Sequence, residues 1–332
     1  MVQLLIPTNS ADGTSDSLVR LLKQRNISFL RWNVDLWRHY EIRVTSAIFS
    51  ITDPTGRNIN LADGKSFLLW RKPFTSQMNF DDLPIAVDDQ EVARAQMGQW
   101  LQAVVVRMMS DGRVRLIEPY ADRRLPKLFQ LHEARRYFAV PPYLFSISGQ
   151  PDTFGPMMIA KPLGDPSVGG ENIFYTHRVN GGDLFRPYPW FVQEALVDGT
   201  DVTCVYVNGR SHFFECDFAR GDNAIDWRTE INTVGQSSWH PLQSANVDLW
   251  SENVMAYMKH LGLHYGRLDF IRQGDRMFFL ECNSNGQFGW LDEPETLPLH
   301  NEFLDAALDP RTRVSWYCQQ PGSAWVADHA GN

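Results

Sequence analysis

The chain has 332 residues, of which 43% are hydrophobic and 21% are charged, a composition that is ordinary for a soluble globular enzyme. This length exceeds what one hydrophobic core usually organises, so we expect two or three subdomains. The formal net charge of −8 argues against nonspecific nucleic-acid binding, and no window approaches the roughly 18 apolar residues that a membrane span needs.

Cysteine usage and the first residues both bear on the compartment. The cysteines Cys204, Cys216, Cys282 and Cys318 form neither a CxxC pair nor a Cys/His metal spacing, so we expect buried free thiols in a reducing compartment. The opening MVQLLIPTNSADG has no basic region and too short an apolar run for a signal peptide. We therefore expect a cytoplasmic protein that binds neither nucleic acid nor membranes.

The order of predicted strands and helices in residues 1–115 indicates one small α/β domain. The strand VQLLIP, a helix and the strand ISFLRWN give a β-α-β opening, and Asp12, Thr14 and Ser15 are candidate caps of the helix.

Further along this domain, the turn Asp53-Pro54-Thr55-Gly56 predicts a hairpin. The segment FLLWRKPF predicts another strand. Apolar residues at helical spacing predict a helix from about Asp89 to Met109.

Beyond residue 115 the pattern predicts two α+β lobes, at 116–190 and 191–332. A helix at 128–140 is stopped by Pro141 and Pro142. Two further helices are predicted at about 249–261 and at LHNEFLDAAL. The predicted strands are MMIAKPL, IFYTHRV, WFVQEAL, DVTCVYVNG, RSHFFECDF, YGRLDFIRQ and RMFFLECN.

The segment GRLDFIRQGDRMFFLECN predicts a hairpin that gathers three oxygen-bearing side chains. Because side chains alternate between the faces of a strand, the three-residue loop 274–276 would place Asp269 opposite Glu281, with Asn283 on the same face. Two carboxylates this close repel each other unless a cation lies between them, and carboxylate and amide oxygens suit Mg²⁺. The alternative is a solvated face with scattered acids, and a two-residue turn would separate the two carboxylates.

The order of motifs along the chain resembles the ATP-grasp superfamily. RLPKLFQLHEA resembles the first ATP-binding lysine and the helix after it, and MIAKPLG resembles the second lysine-bearing strand. WFVQEALVDGTD resembles the adenine hinge and the ribose-binding acid. DWR at 226–228 and LDF…LECNSNGQ resemble the catalytic arginine and the metal-binding strands, so the match covers about Glu118 to Leu291 in the correct order.

Longer segments resemble one particular group within this superfamily. The chain resembles the ATP-grasp macrocyclases of microviridin-type peptide maturation in four segments, namely IEPYADRRLPKLFQLHEA, AIDWR, HYGRLDFI and FLECNSNGQFGWLD. In the N-terminal domain, LLWRKPF resembles a tryptophan-arginine segment of the same group. The fold implied is an α/β N-terminal (pre-ATP-grasp) domain followed by two α+β lobes of an ATP-grasp fold.

The resemblance implies an ATP site and a magnesium site. Asp269, Glu281 and Asn283 would bind Mg²⁺. The ATP-binding residues would be Lys127 and Lys161 at the phosphates, Gln193, Glu194, Ala195 and Leu196 at the adenine hinge, and Asp201 at the ribose. As alternatives, the two lysines are surface lysines, and Glu194 and Asp201 are surface acids at strand ends.

The resemblance also implies catalytic arginines. Arg228 would stabilise negative charge on an acyl phosphate and on the tetrahedral intermediate. Arg267 is a second candidate because strand alternation places it on the same face as Asp269. A salt bridge from Arg228 to Asp226 or Glu230 is the alternative role.

The segment GDPSVGGE stands where the family has a mobile loop that covers the phosphates, although glycine-rich segments are mostly simple turns. Two positions depart from the family pattern. Thr203 replaces the arginine of an Asp-x-Arg strand, and Ser284 replaces the proline that often follows the metal-binding asparagine.

The function implied is that of an ATP-dependent ligase that releases ADP. Mg·ATP would phosphorylate Asp or Glu side chains of a precursor peptide, made of a leader and an acidic core, and Thr, Ser or Lys side chains would attack to form ω-esters or ω-amides. A second hypothesis is an intermolecular ligase that adds an amino acid or small amine to a peptide or metabolite. A third is an inactive nucleotide-binding scaffold, which the replacement at Thr203 supports. A homodimer is expected by resemblance.

Overall fold

A computed structural model describes residues 3–45, 48–81, 83–147, 157–164, 167–168, 172–173, 176–179, 184, 187–217, 239–292 and 297–314. The chain divides into two compact units. The first unit comprises Met1–Pro119, Gly262–Tyr265 and Ser284–Asn332, and the second comprises Tyr120–Leu261 and Gly266–Asn283.

The elements are numbered in chain order over the described residues. The helices are α1 (Gly13–Gln24), α2 (Val87–Ser110), α3 (Ala121–Arg124), α4 (Lys127–Ala134), α5 (Val247–Leu261) and α6 (Leu299–Leu308). The strands are β1 (Gln3–Thr8), β2 (Ser28–Asn33), β3 (Glu41–Val44), β4 (Phe49–Thr52), β5 (Asn58–Asn60), β6 (Ser66–Leu68), β7 (Val114–Arg115), β8 (Tyr143–Ser146), β9 (Met158–Ala160), β10 (Ser167–Val168), β11 (Asn172–Ile173), β12 (His177–Val179), β13 (Trp190–Glu194), β14 (Thr200–Val207), β15 (Arg210–Cys216), β16 (Trp239–Pro241), β17 (Tyr265–Gln273), β18 (Arg276–Asn283) and β19 (Arg313–Val314).

The first unit is built on a five-stranded sheet in the order β19-β7-β6-β1-β2. β1 pairs in parallel with both β2 and β6, and α1 connects β1 to β2, so the predicted β-α-β opening is confirmed. A separate antiparallel sheet holds β3, β4 and β5. The predicted hairpin turn is confirmed there, and Gly56 adopts a φ of +84° that a glycine tolerates without steric cost.

Two predictions for the first unit, the extent of the strand at FLLWRKPF and the capping role of Asp12, differ from the structure. The segment FLLWRKPF forms a strand only as far as Leu68. Beyond it the Leu69 and Arg71 N–H groups still donate to the Leu5 and Pro7 carbonyls of β1, and the Arg71 side chain is completely buried. Asp12 occupies the N-cap position of α1, but its side chain caps no backbone N–H. Instead its Oδ2 accepts hydrogen bonds from Thr8 Oγ1 at 2.7 Å and Ser15 Oγ at 2.5 Å, and it lies 3.4 Å from Arg71 Nε.

We expect Asp12→Asn to lower the free energy of unfolding at neutral pH by roughly 3 kcal/mol, because it leaves the buried Arg71 charge unpaired. Burial alone raises the pKa of Asp12, but Arg71 and the hydroxyls of Ser15 and Thr8 outweigh it and lower the pKa to about 2. Such a carboxylate stabilises the fold above the unfolded pKa of about 3.9, and this contribution disappears as the pH falls toward 2. Urea unfolding should therefore show a gap between wild type and variant that is largest at pH 7 and shrinks by pH 3. An equal gap at both pH values contradicts this account.

The last described segment belongs to the first unit, whereas the sequence assigned it to a C-terminal lobe at 191–332. β19 pairs antiparallel with β7, and Arg25, which follows α1, contacts Asn301 and Asp305 of α6. The helix α6 lies at the predicted LHNEFLDAAL, and its apolar face is buried. The structure differs here because a two-residue strand at 313–314 completes a sheet whose other strands lie at 114–115, 66–68, 28–33 and 3–8.

The second unit contains two larger sheets and the antiparallel β10-β11 pair. The four-stranded sheet has the order β12-β9-β13-β8, and the five-stranded sheet has the order β16-β15-β14-β17-β18. A cluster of aromatic rings from Phe138, Tyr257, Phe270 and Phe279 packs on the second of these, with centroids 5.2 to 5.8 Å apart. The arrangement as an N-terminal domain plus two lobes stays a prediction.

The helix α4 is shorter than the predicted helix at 128–140 and ends at Ala134. Phe138 enters the aromatic cluster, and Ala139 forms a bridge with Phe278 of β18. The Phe279 N–H donates to the Ala139 carbonyl at 2.8 Å. Tertiary pairing with a strand edge thus prevails over the local helical pattern.

The state of the cysteines and the presence of membrane-spanning helices can be compared with the sequence predictions. Cys204, Cys216 and Cys282 are buried and free, as predicted, and Cys318 lies outside the described residues. Over the part of the chain that the structure describes, no helix combines the length and apolarity that crossing a bilayer requires.

Candidate active site

A β-bulge sets the geometry of the hairpin formed by β17 and β18. Its turn holds two residues, Gly274 and Asp275, so the predicted three-residue loop is wrong. Asp269 nevertheless faces Glu281, because the register shifts after Asp269 and leaves Leu280 as an extra residue on β18. A shift of one residue moves a side chain to the opposite face, so the bulge restores the pairing that the short turn would have broken.

The three predicted metal-binding side chains lie together on this hairpin. Asn283 Nδ2 is 3.1 Å from Asp269 Oδ2 and 3.2 Å from Glu281 Oε1. Arg267, the second predicted catalytic arginine, donates from Nη2 to Asp269 Oδ2 at 2.9 Å. Nitrogen and oxygen of an amide are assigned from their partners, and a half-turn of the Asn283 amide would aim Oδ1 at the same carboxylates.

The donor set is that of a hard cation. Two carboxylates and one amide oxygen are ligands that Mg²⁺ accepts, with substrate phosphates completing its coordination. Within the described residues, no group of three or more His, Cys, Asp or Glu could hold a metal. The side chains present therefore fit Mg²⁺ brought with a nucleotide better than a zinc ion held by protein alone.

Thr203 orients Asp269. Its Oγ1 lies 2.9 Å from Asp269 Oδ1 and 3.3 Å from the Leu268 carbonyl oxygen. The sequence marked this position only as the loss of a family arginine. The structure shows that the hydroxyl contacts the carboxylate on the neighbouring strand.

Lys127 joins the same cluster from the first residue of α4. Its Nζ lies 2.8 Å from Glu281 Oε2 and 3.4 Å from the Pro162 carbonyl oxygen, so it is not a free surface lysine. Burial alone raises the pKa of the Glu281 carboxyl, but the Lys127 charge, with hydrogen bonds from Lys127 and Asn283, outweighs burial and lowers the pKa to about 2. Glu281 is therefore ionised at neutral pH and available as a ligand.

Lys161 and Gln193 form a second pair on the four-stranded sheet. Lys161 follows β9, and its Nζ donates to Gln193 Oε1 at 3.0 Å. Gln193 is buried in β13. The predicted hinge glutamine thus contacts the second predicted phosphate lysine, a contact between neighbouring strands that the motif alone did not reveal.

The remaining hinge residues differ in their backbone partners. The Glu194 N–H donates to the Pro142 carbonyl at 2.9 Å, and the Ala195 N–H donates to the Met157 carbonyl at 3.1 Å. Among the described residues, the Leu196 N–H has no backbone acceptor.

An apolar cluster adjoins the hinge, and sequence reasoning missed it. Leu196, Ile271 and Phe278 are buried together, and Ala139 and Leu280 pack against them. Ile271 lies two residues beyond Asp269 on the same strand, so strand alternation was a signal that could have found it. The bulge residue Leu280 and the bridge residue Ala139 carried no such signal.

The other predicted site residues have different outcomes. Asp201 is only 6% exposed in β14, two residues before Thr203 and on the same strand face, so it is not a surface acid. Glu194 is partly buried. Arg228, with Asp226 and Glu230, lies outside the described residues, as does most of the segment GDPSVGGE, so their roles stay predictions.

Comparison with known proteins supports the fold. No protein-family model and no curated protein matches the sequence. The structure resembles the macrocyclase MdnC bound with precursor peptide MdnA from Microcystis aeruginosa MRC, with a TM-score of 0.73, 20% identity and coverage of 93% of this chain and 100% of that one. It also resembles a Chryseobacterium gregarium RiPP-associated ATP-grasp ligase in complex with ADP and a leader and core peptide, with a TM-score of 0.76, 20% identity and coverage of 95% and 99%.

A third similar structure is the ATP-grasp ligase PsnB complexed with a phosphomimetic variant of minimal precursor, Mg and ADP. Its TM-score is 0.68 at 16% identity, and the match covers 94% of this chain and 99% of that one. At these identities the likeness establishes the fold. The chain has the mixed α/β fold of ATP-grasp ligases, as the order of its motifs predicted.

Proposed function

We propose that this chain is an ATP-dependent, ADP-forming ligase that closes rings within a ribosomal precursor peptide. The observation that carries the proposal is the convergence of Lys127, Asp269, Glu281 and Asn283 in one contact network. The network is found in a fold shared with proteins solved with precursor, leader or core peptides. A leader peptide with an acidic core is the proposed substrate, and a homodimer is the proposed assembly.

The nucleotide would lie against the apolar cluster. The adenine base would pack on Leu196, Ile271 and Phe278, with the Leu196 N–H as donor to its edge. Asp201 would accept hydrogen bonds from the ribose hydroxyls. Lys127 and Lys161 would then bind the phosphates, where a compact ammonium charge suits phosphate oxygens.

The proposed reaction has two steps. A side-chain carboxylate of the peptide attacks the γ-phosphorus of ATP, the bond to ADP breaks, and an acyl phosphate forms. A hydroxyl or amine then attacks the acyl carbon, loses its proton, and expels phosphate. Mg²⁺, when bound, supplies charge neutralisation at the phosphate oxygens.

The chain's own residues position and neutralise these groups. Arg267, which lies 2.9 Å from Asp269, is the described cation nearest the proposed metal carboxylates after Lys127, and it would stabilise the oxyanion. Arg228 is proposed for the same task. The hydrogen bond from Thr203 to Asp269 supports an active ligase over an inactive scaffold, because it replaces a missing arginine with an orienting contact.

Mass spectrometry distinguishes the hypotheses. The purified protein would be incubated with Mg·ATP and the short acidic peptide encoded beside its gene. Loss of one or more waters from the peptide, with ADP release, is the result expected of a macrocyclase. Gain of an amino acid or amine would indicate the intermolecular ligase. Unchanged peptide with no ADP would contradict the proposal.

We expect Thr203→Val to weaken Mg²⁺ binding about 10-fold, because loss of a hydrogen bond to a metal ligand commonly costs that much. The two side chains have the same shape, so packing is preserved. The measurement is the Mg²⁺ concentration that gives half-maximal ADP formation. Thr203→Ser keeps the hydroxyl and should behave as wild type. Equal Mg²⁺ dependence in Thr203→Val and Thr203→Ser would refute this role.

A further inference from the structure

Gln130 of α4 is buried and uses both ends of its side-chain amide. Its Nε2 donates to the Leu125 carbonyl oxygen at 2.8 Å, and its Oε1 accepts the Cys282 N–H at 2.8 Å. A backbone carbonyl can only accept and a backbone N–H can only donate, so these partners fix the orientation of the amide. None of the roles described above involves this side chain.

The bond to Cys282 holds β18 between two of the proposed magnesium ligands, Glu281 and Asn283. β18 is an edge strand, so the N–H groups on its outer side have no neighbouring strand to bond. The Cys282 N–H shares a peptide plane with the carbonyl group of Glu281, so fixing that N–H fixes the backbone from which the Glu281 side chain projects. On the other side of the bulge, the Phe279 N–H bonds to Ala139.

The same helix contacts Glu281 in two ways. Lys127 and Gln130 lie three residues apart, and therefore on one face of α4. Lys127 contacts the Glu281 carboxylate at 2.8 Å, and Gln130 binds the backbone immediately after Glu281. The Tyr257 hydroxyl donates to the backbone carbonyl of Gln130 at 3.4 Å, a contact that does not involve the Gln130 side chain.

We propose that Gln130 is a positioning residue that sets the spacing between Lys127 and the metal carboxylates of the β17–β18 hairpin. It acts through the backbone of β18 and does not contact the nucleotide or the metal. The inference rests on the proposed function, because it presumes that Lys127 binds phosphate and that Glu281 binds Mg²⁺.

The test is isothermal titration calorimetry with the non-hydrolysable analogue AMPPNP over a series of Mg²⁺ concentrations. Gln130→Leu keeps similar volume but removes the acceptor for the Cys282 N–H. Because partners of metal ligands typically change metal affinity 10- to 100-fold, we expect the half-maximal Mg²⁺ concentration to rise about 10-fold. AMPPNP binding without Mg²⁺ should change less than about twofold, because no direct contact with nucleotide is lost.

Two further variants separate positioning from stability. Gln130→Glu keeps an acceptor oxygen for the Cys282 N–H but loses the donor to the Leu125 carbonyl, so it should raise the half-maximal Mg²⁺ concentration less than Gln130→Leu does. Tyr257→Phe removes the hydrogen bond to the Gln130 carbonyl but keeps the ring and the Gln130 side-chain contacts. It should lower the unfolding temperature without moving the Mg²⁺ dependence. Should Gln130→Leu fail to fold, Gln130→Asn, whose shorter side chain does not reach Cys282, should show the same rise.

The outcomes distinguish this inference from the proposed function. A wild-type protein that binds AMPPNP without any effect of Mg²⁺ overturns the proposed function, and this inference with it. Mg²⁺-dependent binding in the wild type that is unchanged in Gln130→Leu overturns the positioning role alone.

Discussion

Asp269→Asn and Glu281→Gln should each reduce ring closure by roughly 10²- to 10³-fold, because a bound metal ion supplies several kcal/mol of charge stabilisation to the transition state. Each substitution keeps the shape of the side chain and removes the charge that holds the cation. Asp269 would lose its charge-assisted contact with Arg267, and Glu281 its contact with Lys127. The assay is mass spectrometry of the peptide together with ADP release.

The chain offers a matched control for this prediction. Asp275→Asn makes the same change in the turn of the same hairpin, where the carboxylate contacts only Asn246 among the described residues. This variant should retain wild-type activity and wild-type Mg²⁺ dependence. Circular dichroism would verify that all three variants are folded. Retention of a tenth of wild-type activity by either site variant would remove the assignment of the metal ligands.

Lys127→Met should have the second largest effect. The variant loses a charge-assisted hydrogen bond to phosphate, which is worth about 1.5 to 3 kcal/mol, or roughly 10- to 10²-fold in affinity for Mg·ATP. It also leaves Glu281 without its cationic partner. Calorimetry with Mg·AMPPNP measures the affinity directly, and the deficit should persist in ADP formation.

Two lysine variants control for this loss. Lys259→Met makes the same change on the exposed face of α5 and should leave nucleotide affinity unaltered. Lys127→Arg keeps the charge but replaces a compact ammonium by a planar fork, so we expect it to recover only part of the affinity. If Lys127→Met binds Mg·AMPPNP as tightly as Lys259→Met does, Lys127 is no phosphate ligand.

Local patterns predicted those elements whose sequence signals agree with their tertiary context. The strands β1 and β2 and the helix α6 lie where apolar periodicity placed them. The same holds for the strands that carry Asp269 and Glu281. β1 is buried on both faces and has a continuous apolar run, whereas α6 buries one apolar face, so in both the pattern and the burial agree.

The misses have a common physical cause, namely contacts between distant parts of the chain. The turn of the β17–β18 hairpin and the bulge at Leu280 each shift the register by one residue, and nothing in the local pattern reports either shift. The end of α4 depends on the bridge between Ala139 and Phe278. The burial of the Arg71 charge depends on its ion pair with Asp12, which lies in a distant part of the chain.

The candidate site shows the same division. Motif order was enough to select Lys127, Asp269, Glu281 and Asn283, and these side chains lie together. The contacts of Thr203 and Gln130 could not be predicted from the motifs, because each residue bonds to a strand other than its own element. Thr203 of β14 bonds to Asp269 of β17, and Gln130 of α4 bonds to Cys282 of β18.

The central claim is that a peptide carboxylate is activated by phosphorylation, and the most direct test is to follow its oxygen. The peptide would carry a heavy oxygen isotope in its Asp and Glu side-chain carboxylates, and the inorganic phosphate released with ADP would be analysed by mass spectrometry. The account predicts one labelled oxygen in phosphate for each water lost from the peptide. Water loss with unlabelled phosphate would contradict an acyl phosphate and, with it, the mechanism proposed for this chain.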